Sequence, residues 1–273
     1  MSACHYCRRN PDRESAELGL EGITTGYERR FDWPAIAAPV RPYLLASVPR
    51  TGSTYLAHIL WETGCLGAPL EYLNFEKHGP YGAASDSRDR QNAIWDHVLT
   101  HRRSANGVFG LKAFPLQMEV LGRHNPRLLS AAMRRLLGAG AASKVVQLRR
   151  RDIAAHAISL ARASLSGVWR AEQEQQGASE PEYSPHRIER ARRELAAQEA
   201  AWKQMYRETG ITPLVLWYED VVEDPDAAIK AVAHYLEVKL DPSERLTVPK
   251  IRQQAQGAAR EWRTRHACGN AFK

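Results

Sequence analysis

Short apolar runs alternate along this chain with segments in which apolar residues recur at helical spacing. The runs at 43–48, 107–112, 144–149 and 213–218 have the length of buried strands. Helical spacing follows at 55–61, from 153 to about 163 and at 226–236, and a long charged amphipathic stretch covers 186–209. Strands that alternate with helices predict an α/β fold with a parallel, doubly wound sheet flanked by helices.

The first 40 residues differ from the rest because they are polar, contain three prolines and show weak periodicity. We predict an irregular N-terminal arm over residues 1–40, anchored by Tyr27, Phe31 and Trp33. Residues 41–273 show no compositional break, which predicts a single domain. Two stretches of that domain, 74–104 and 170–185, are interpreted as loops.

Charge and composition narrow the class of protein. The chain has 273 residues, 44% of them hydrophobic, and a net charge of +7, which fits one domain with a substantial core and a polyanionic partner. No basic run is interleaved with aromatics and no nucleic-acid-binding signature is present, so nucleic acid ranks last among the partners. The chain shows neither a secretory signal pattern nor an apolar run of membrane-spanning length. We therefore expect a cytoplasmic protein without stable membrane insertion.

Four cysteines are present, and Cys4 and Cys7 form a CxxC pair. Such a pair is half of a zinc site or a redox pair. A structural zinc site needs about four ligands, and no second pair follows at the required spacing. The sequence therefore favours an ordinary N-terminal segment without a metal site, and it leaves the role of Cys4 and Cys7 open.

The turn after the first predicted strand has the composition of an anion-binding loop. A nucleotide-triphosphate loop would read G-x-x-x-x-G-K-[ST], but this chain lacks the first glycine and the lysine. It supplies instead a cation, a glycine that permits close backbone approach, and hydroxyl groups, from Arg50, Thr51, Gly52, Ser53, Thr54 and Tyr55. This set suits one phosphate or sulfate without obligatory Mg²⁺. The alternative is an ordinary strand-to-helix turn that contains glycine.

A second candidate anion site follows the third predicted strand. Arg150 ends that strand, and Ser159 lies about two turns into the next helix, which Asp152 is placed to cap. Ligands of doubly wound folds bind at the carboxyl ends of strands. Arg149 and Arg151 flank Arg150, and the sequence does not decide which of the three grips an anion. The alternative is a solvated basic corner.

Two separated anion sites fit a nucleotide that carries two anionic groups. In its order of motifs the chain resembles the Stf0-type bacterial sulfotransferases, which use 3′-phosphoadenosine-5′-phosphosulfate (PAPS) and have a P-loop-like fold. The resemblance spans roughly residues 43–265 and rests on these segments: Pro49–Leu56, Thr63–Tyr72, Asn106–Lys112, Arg150–Asp152 with Ala157–Ser159, Tyr218–Asp220 with Asp224–Pro225, and Arg252–Gln254 with Glu261–Arg263.

The resemblance implies a role for each candidate residue. Arg50 and the loop through Tyr55 would hold the 5′-phosphate and sulfate, Arg150 and Ser159 would hold the 3′-phosphate, and Trp262 and Arg263 would lie near the nucleotide. Glu71 would act as general base, and Lys112 would face the acceptor or the sulfuryl group. Eukaryotic cytosolic sulfotransferases use a histidine base, which keeps the following histidines open as alternatives: His58, His78, His97 and His124.

The acceptor implied by the resemblance is a small molecule with a hydroxyl group, a sugar or a glycoside, since the best-known member of the family sulfates trehalose. Trp169 and Arg170 are candidates for the acceptor pocket, with core packing as the alternative for the tryptophan. Ala68 departs from the family, where an acidic residue is frequent, and leaves the acceptor open. Related enzymes include dimers, so a homodimer is also open. The competing functions are a nucleotide kinase or NTPase-like enzyme and a non-catalytic nucleotide-binding module.

Overall fold

A central parallel sheet organises the computed structural model, which describes residues 24–77, 79–174, 180–252, 254 and 257–270. Its four strands are β1 (Arg41–Ala46), β2 (Val108–Ala113), β3 (Lys144–Arg149) and β4 (Leu214–Trp217). They stand in the order β2-β1-β3-β4, and every neighbouring pair is parallel. The predicted α/β class with a parallel sheet is therefore confirmed.

The strands β1, β2 and β3 are largely buried, as expected when helices cover a parallel sheet, whereas the edge strand β4 is half-exposed. Leu44 of β1 lies opposite Leu111 of β2 and opposite Val145 of β3, and all three are fully buried. Ala46, at the end of β1, lies opposite Ala113 of β2 and opposite a residue near the end of β3. The carboxyl ends of these three strands therefore meet at one edge, where the predicted anion loop begins.

Helices cover both faces of the sheet, and several have a side-chain cap. The N-cap of the helix after β3 is Asp152, whose Oδ1 accepts a hydrogen bond from Ala155 N at 2.8 Å, as predicted. The helices are α1 (Ser53–Glu62), α2 (Arg88–His101), α3 (Pro115–His124), α4 (Pro126–Leu137), α5 (Ile153–Ser166), α6 (Ala171–Glu174), α7 (Pro185–Thr209), α8 (Tyr218–Glu223), α9 (Pro225–Tyr235) and α10 (Gly257–Asn270). Three-residue 3-10 turns occur at Arg29–Phe31, Gly82–Ala84, Gly140–Ala142 and Pro242–Glu244.

The loop prediction for 74–104 was wrong, and the first and fourth predicted strands extend beyond the observed ones, since β1 ends at Ala46 rather than at Val48. The stretch 74–104 contains α2, which Ser87 caps by accepting a hydrogen bond from Arg90 N at 3.3 Å. Only two apolar residues of this helix are buried, Trp95 and Val98. Because so few apolar positions recur, the sequence pattern did not show helical spacing. The stretch 170–185 contains the short helix α6, and the last residue assigned to the fourth strand begins α8 instead.

The described part of the predicted arm, residues 24–40, contains no strand and runs across the domain surface. The ring of Phe31 contacts Trp61 of α1 edge-on, with ring centroids 5.3 Å apart. Trp33 N donates a hydrogen bond of 2.9 Å to the carbonyl of His101. These contacts attach the segment to α1 and to the end of α2. Cys4 and Cys7 lie outside the described residues.

Candidate active site

The turn between β1 and α1 has a tightly wound backbone. Arg50 has φ 65° and Gly52 has φ 93°, both in the left-handed region. A Cβ at Gly52 would overlap the ring of Tyr218, so this position accepts only glycine. The Thr51 hydroxyl donates to the carbonyl of Val48 and is buried. No side chain caps α1 among the described residues, so its first N–H groups have no side-chain partner there.

The side chain of Arg50 crosses to the middle of α5 and to segments outside that helix. Its Nε donates to Ser159 Oγ at 3.0 Å, Nη1 donates to the carbonyl of Trp169 at 2.6 Å, and Nη2 donates to Gln254 Oε1. Burial, and then the positive charge of Arg150, lower the pKa of Arg50 to about 10. The residues predicted for the two anion sites, Arg50 and Ser159, are therefore in direct contact.

The outer members of the arginine run have acidic partners. Arg149 Nε lies 3.2 Å from Glu199 Oε2. Arg151 forms a two-pronged pair with Asp220, in which the Nη2 to Oδ2 distance is 2.7 Å. Hydrogen bonds with Asp220 raise the pKa of Arg151. Neither side chain is directed at the predicted nucleotide site.

Arg150, between them, is arranged differently. Its guanidinium lies over the ring of Tyr218, 4.8 Å from the centroid, and Nη1 donates to the carbonyl of Arg50 at 3.3 Å. Its Nε is buried and has no acceptor among the described residues. No carboxylate of the described chain lies within ion-pair distance of Arg150. Of the three arginines, it is the one without a carboxylate at ion-pair distance among the described residues, although its charge helps to lower the pKa of Glu219.

The C-terminal helix packs against α5, near the same corner. Trp262 is 2% exposed, and its ring contacts Tyr183 edge-on with centroids 5.4 Å apart. Arg263 Nη2 lies 3.1 Å from Asp152 Oδ2, at the start of α5. The tryptophan therefore packs in the core, whereas the arginine lies close to the arginine run. Gln253, in the same motif, lies outside the described residues.

The other half of the candidate site centres on Glu71. An isolated parallel bridge joins Leu70 to Leu111, and Lys112 N donates to the carbonyl of Leu70 at 3.0 Å. This bridge brings the loop after α1 alongside β2, so that Glu71 lies beside Lys112. Lys112 Nζ is 2.7 Å from Glu71 Oε1 and donates to Thr54 Oγ1 of α1 at 2.9 Å.

Two side-chain amides hold the second carboxylate oxygen of Glu71. Gln117 Nε2 donates to Glu71 Oε2 at 2.6 Å, and Asn74 Nδ2 donates to the same oxygen at 3.3 Å. Burial alone would raise the pKa of Glu71, but the charge and hydrogen bond of Lys112, with the bond from Gln117, hold it below the usual value. Burial lowers the pKa of Lys112, and Glu71 only partly offsets that effect. We treat the pair as ionised at neutral pH because the carboxylate accepts three donors.

Comparisons with known proteins identify the family of this chain. A family model described as Stf0 sulphotransferase matches residues 42–268. The chain belongs to the Stf0 sulphotransferase family. A trehalose 2-sulfotransferase from Mycobacterium tuberculosis is 27% identical over 259 residues, which covers 83% of this chain and 94% of the relative. A second trehalose 2-sulfotransferase, from Mycolicibacterium smegmatis, is 25% identical over 254 residues, covering 82% and 93%.

Solved structures of sulfotransferases show a distant likeness. One from Alicyclobacillus acidocaldarius gives a TM-score of 0.41 at 17% identity, covering 85% of this chain and 93% of that chain. The sulfotransferase domain from the curacin biosynthetic pathway gives 0.41 at 16% identity, covering 82% and 83%. The family predicted from the sequence is confirmed by the family model and the curated relatives, and the chain is a sulfotransferase.

Sequence reasoning missed three residues of the site in this Stf0 sulphotransferase. Gln117 and Asn74 hold Glu71, and Tyr27 accepts a hydrogen bond of 3.2 Å from Glu71 N. Gln117 gave a weak signal, because it lies three residues after Phe114 and its Oε1 accepts from Phe114 N at 3.2 Å at the start of α3. Nothing in the sequence connects Tyr27 with Glu71.

The histidines kept open as bases lie in different surroundings. His58 is buried on α1, its Nδ1 is 2.8 Å from the carbonyl of Pro249, and burial lowers its pKa to about 4. His97 is paired with Asp32 at 2.7 Å. His124 is exposed at the end of α3, and His78 lies outside the described residues. None of the three described histidines replaces Glu71 in its contact with Lys112.

Two further findings concern metals and membranes. Across the described ranges, no three or more His, Cys, Asp or Glu side chains come together in a group that could hold a metal ion. None of the helices in the same ranges is long and apolar enough to cross a bilayer.

Proposed function

We propose that this enzyme transfers the sulfuryl group of PAPS to a hydroxyl of a carbohydrate or a glycosylated small molecule, with Glu71 as general base. The observation that carries the proposal is the contact of Lys112 with both Thr54 and Glu71. Thr54 belongs to the loop and helix predicted to hold the transferred group. Lys112 therefore joins the donor loop to the proposed base, at the edge where ligands of such sheets bind.

The donor side supplies positive charge for a nucleotide with two anionic groups. Arg50, with Thr51 to Tyr55 of the loop, would hold the 5′-phosphosulfate. Arg150 and Ser159 would hold the 3′-phosphate, because Arg150 has no acidic partner among the described residues and Ser159 already contacts Arg50. Arg263 would add charge near this corner, whereas Trp262 would support the nucleotide through packing. No metal is assigned a role.

The chemical step is an in-line displacement at sulfur. The bond between sulfur and the bridging phosphate oxygen breaks while the acceptor oxygen forms its bond to sulfur, and the adenosine bisphosphate leaves. Negative charge grows on the bridging oxygen, and Lys112 and the loop N–H groups would stabilise it. The proton of the acceptor hydroxyl passes to Glu71. A carboxylate of low pKa can accept it, because the acceptor oxygen becomes acidic as the new bond forms.

The acceptor class rests on the curated relatives and on the polar wall around Glu71. Both relatives are named trehalose 2-sulfotransferases. Gln117 and Asn74 beside Glu71, with Arg170 close enough for its charge to lower the pKa of Glu71, form a wall suited to a molecule rich in hydroxyls. Trehalose is therefore the first acceptor to test, followed by other disaccharides and glycosides.

The test has two stages. The first is calorimetric titration of the purified protein with adenosine 3′,5′-bisphosphate, beside ADP and ATP, with and without Mg²⁺. We expect metal-independent micromolar binding of the bisphosphate and much weaker binding of ATP. The second stage measures transfer of labelled sulfuryl from PAPS to trehalose and to a panel of sugars, with Arg50→Ala as the variant expected to lose bisphosphate binding.

The outcomes separate the competing functions. Preference for ATP with Mg²⁺ would indicate a kinase or NTPase-like enzyme instead. Binding of the bisphosphate without transfer to any sugar in the panel would refute the acceptor class. Unchanged bisphosphate affinity in Arg50→Ala would refute the assignment of the donor loop.

A further inference from the structure

A segment that precedes the first strand reaches the candidate active site. It comprises residues 24–33 and lies outside the match to the family model, which begins at residue 42. A single buried arginine, Arg102, holds it. Its Nη1 donates to the carbonyl of Gly26 at 2.8 Å, and Nη2 donates to the carbonyls of Tyr27 at 3.1 Å and Glu28 at 2.9 Å. One guanidinium thus donates hydrogen bonds to three consecutive carbonyls.

Further contacts fix the path of this segment. Arg102 Nε donates to Asp32 Oδ1 at 2.9 Å, and the arginine is only 2% exposed. The carboxylate of Glu28 accepts from Thr25 N at 3.0 Å and from Gly26 N at 2.7 Å. Gly26 has φ 92°, and a Cβ there would lie 3.0 Å from Trp61. A buried charge satisfied in this way holds the segment in one conformation.

This conformation places the side chain of Tyr27 beside Glu71. The Tyr27 hydroxyl oxygen accepts the hydrogen bond from Glu71 N at 3.2 Å. The ring of Tyr27 meets those of Tyr72 and Tyr81 edge-on, with centroids 6.2 and 5.4 Å apart. The ring is therefore held on both sides, and its hydroxyl has a fixed position next to the loop that carries the proposed base.

The hydroxyl proton of Tyr27 finds no acceptor within the part of the chain that the structure describes. Burial, and then the negative charge of Glu71, raise the pKa of Tyr27 well above its usual range, so the hydroxyl remains protonated. A tyrosine hydroxyl both donates and accepts. Among the described residues, its oxygen has a donor in Glu71 N, but its proton has no acceptor. Tyr27 is half-buried, so a ligand that enters the site can supply the missing acceptor.

We propose that Tyr27 belongs to the acceptor-binding site and donates its hydroxyl proton to an oxygen of the acceptor sugar, next to the hydroxyl that is sulfated. The inference rests on the proposed function, because it names a sugar bound beside Glu71. Its consequence is selectivity. An acceptor that offers an oxygen at this position is favoured over one that lacks it, since the latter leaves the Tyr27 hydroxyl unpaired.

The test uses the full-length chain with Tyr27→Phe, which keeps the edge-on ring contacts and removes only the hydroxyl. The acceptor is trehalose, or the sugar of the panel with the fastest transfer. We expect KM for the sugar to rise about tenfold, the effect of losing one hydrogen bond to the ligand. We expect kcat and KM for PAPS to stay within about twofold, because Lys112 and Gln117 still hold the carboxylate of Glu71 when its N–H loses the Tyr27 acceptor.

Tyr43→Phe is the matched control. The hydroxyl of Tyr43 donates to the carbonyl of Leu66 at 3.0 Å, so it supports the loop that carries Glu71 from the strand side, within the core. This control should lower the melting temperature and leave KM for the sugar unchanged. Melting temperatures of both variants separate loss of stability from loss of binding.

Each outcome decides the inference. A rise in KM for the sugar in Tyr27→Phe alone supports it. An unchanged KM in that variant overturns it and leaves the proposed function standing, as does an equal rise in Tyr43→Phe. Failure of the unsubstituted enzyme to transfer sulfuryl to any sugar, despite bisphosphate binding, overturns the proposed acceptor class and this inference together.

Discussion

The two halves of the candidate site carry their charges in opposite ways. On the acceptor side, Lys112 and Glu71 form a buried pair at 2.7 Å, and Gln117 occupies the second carboxylate oxygen. On the donor side, Arg50 and Arg150 approach each other, and no carboxylate of the described residues lies within ion-pair distance of either. On the proposed acceptor side the two opposite charges are paired, whereas the proposed donor side has an excess of positive charge.

Because of this difference, we expect substitutions on the two sides to have different effects. Removing one member of a buried ion pair leaves an uncompensated charge and destabilises the fold. Removing one of two like charges relieves repulsion, and the charge of Arg150, after burial, already lowers the pKa of Arg50. Substitutions on the acceptor side should therefore reduce stability or turnover, and substitutions on the donor side should reduce affinity for the nucleotide while leaving the fold intact.

The largest expected effect is that of Glu71→Gln on turnover. Loss of a general base costs roughly 10²- to 10⁴-fold in rate. We expect kcat for sulfuryl transfer to fall by that range, while affinity for adenosine 3′,5′-bisphosphate stays within about twofold. Single-turnover transfer and calorimetry measure the two quantities, and the melting temperature reports on the fold. Full activity in Glu71→Gln would remove Glu71 as base and make a histidine such as His58 the next candidate.

Lys112→Met tests whether the charge pair on the proposed acceptor side stabilises the fold. The change leaves the carboxylate of Glu71 without its cation in a buried site, and we expect a loss of about 3 kcal/mol in the free energy of unfolding at pH 7. Burial would then dominate at Glu71, and its pKa would rise. Because the base acts only when ionised, the acid limb of the kcat profile should move to higher pH, from a natural position below the ordinary glutamate value of 4.5.

A double variant provides the control for this prediction. Glu71→Gln/Lys112→Met removes both charges, so its loss of stability should be smaller than the sum of the two single losses. Denaturant unfolding of the four proteins measures this coupling. Additive losses would show that the pair does not stabilise the fold as a unit, and the proposed contrast between the two sides would then fail.

Most residues of the proposed donor side could be predicted from the sequence, because the topology of the sheet brings them together. Parallel strands bring their carboxyl ends to one edge, so the residues that end predicted strands were expected to meet. Arg50, Lys112 and Arg150 do lie at that edge. The capping role of Asp152 followed from local chemistry alone, and the structure shows it at 2.8 Å.

The contacts of the proposed acceptor side were harder to predict, because they join segments that are far apart in the sequence. Glu71 meets Lys112 through the single bridge between Leu70 and Leu111, which no local pattern predicts. Gln117 reaches Glu71 from α3, a helix that the sequence reading did not identify. Tyr27 was predicted only as an anchor of the N-terminal arm. Its position depends on Arg102, whose buried contacts to backbone carbonyls leave no signature in the sequence.

The smallest expected effect distinguishes the arginines that the sequence could not separate. Arg150→Ala should reduce affinity for adenosine 3′,5′-bisphosphate by about tenfold to a hundredfold, the range expected when a charge-assisted hydrogen bond to a phosphate is lost. Its melting temperature should stay unchanged, because Arg150 has no acidic partner among the described residues. Calorimetry and thermal unfolding measure the two quantities.

Arg151→Ala is the matched control, since it removes the same charge one position along the chain. Arg151 is already engaged by Asp220 at the surface, so bisphosphate affinity should fall by about threefold at most, through the loss of long-range attraction. That residual loss should disappear at high salt, whereas the loss in Arg150→Ala should persist. Equal losses in the two variants, both abolished by salt, would mean that the run attracts the nucleotide by its summed charge, and the donor side would then have no single positioned guanidinium.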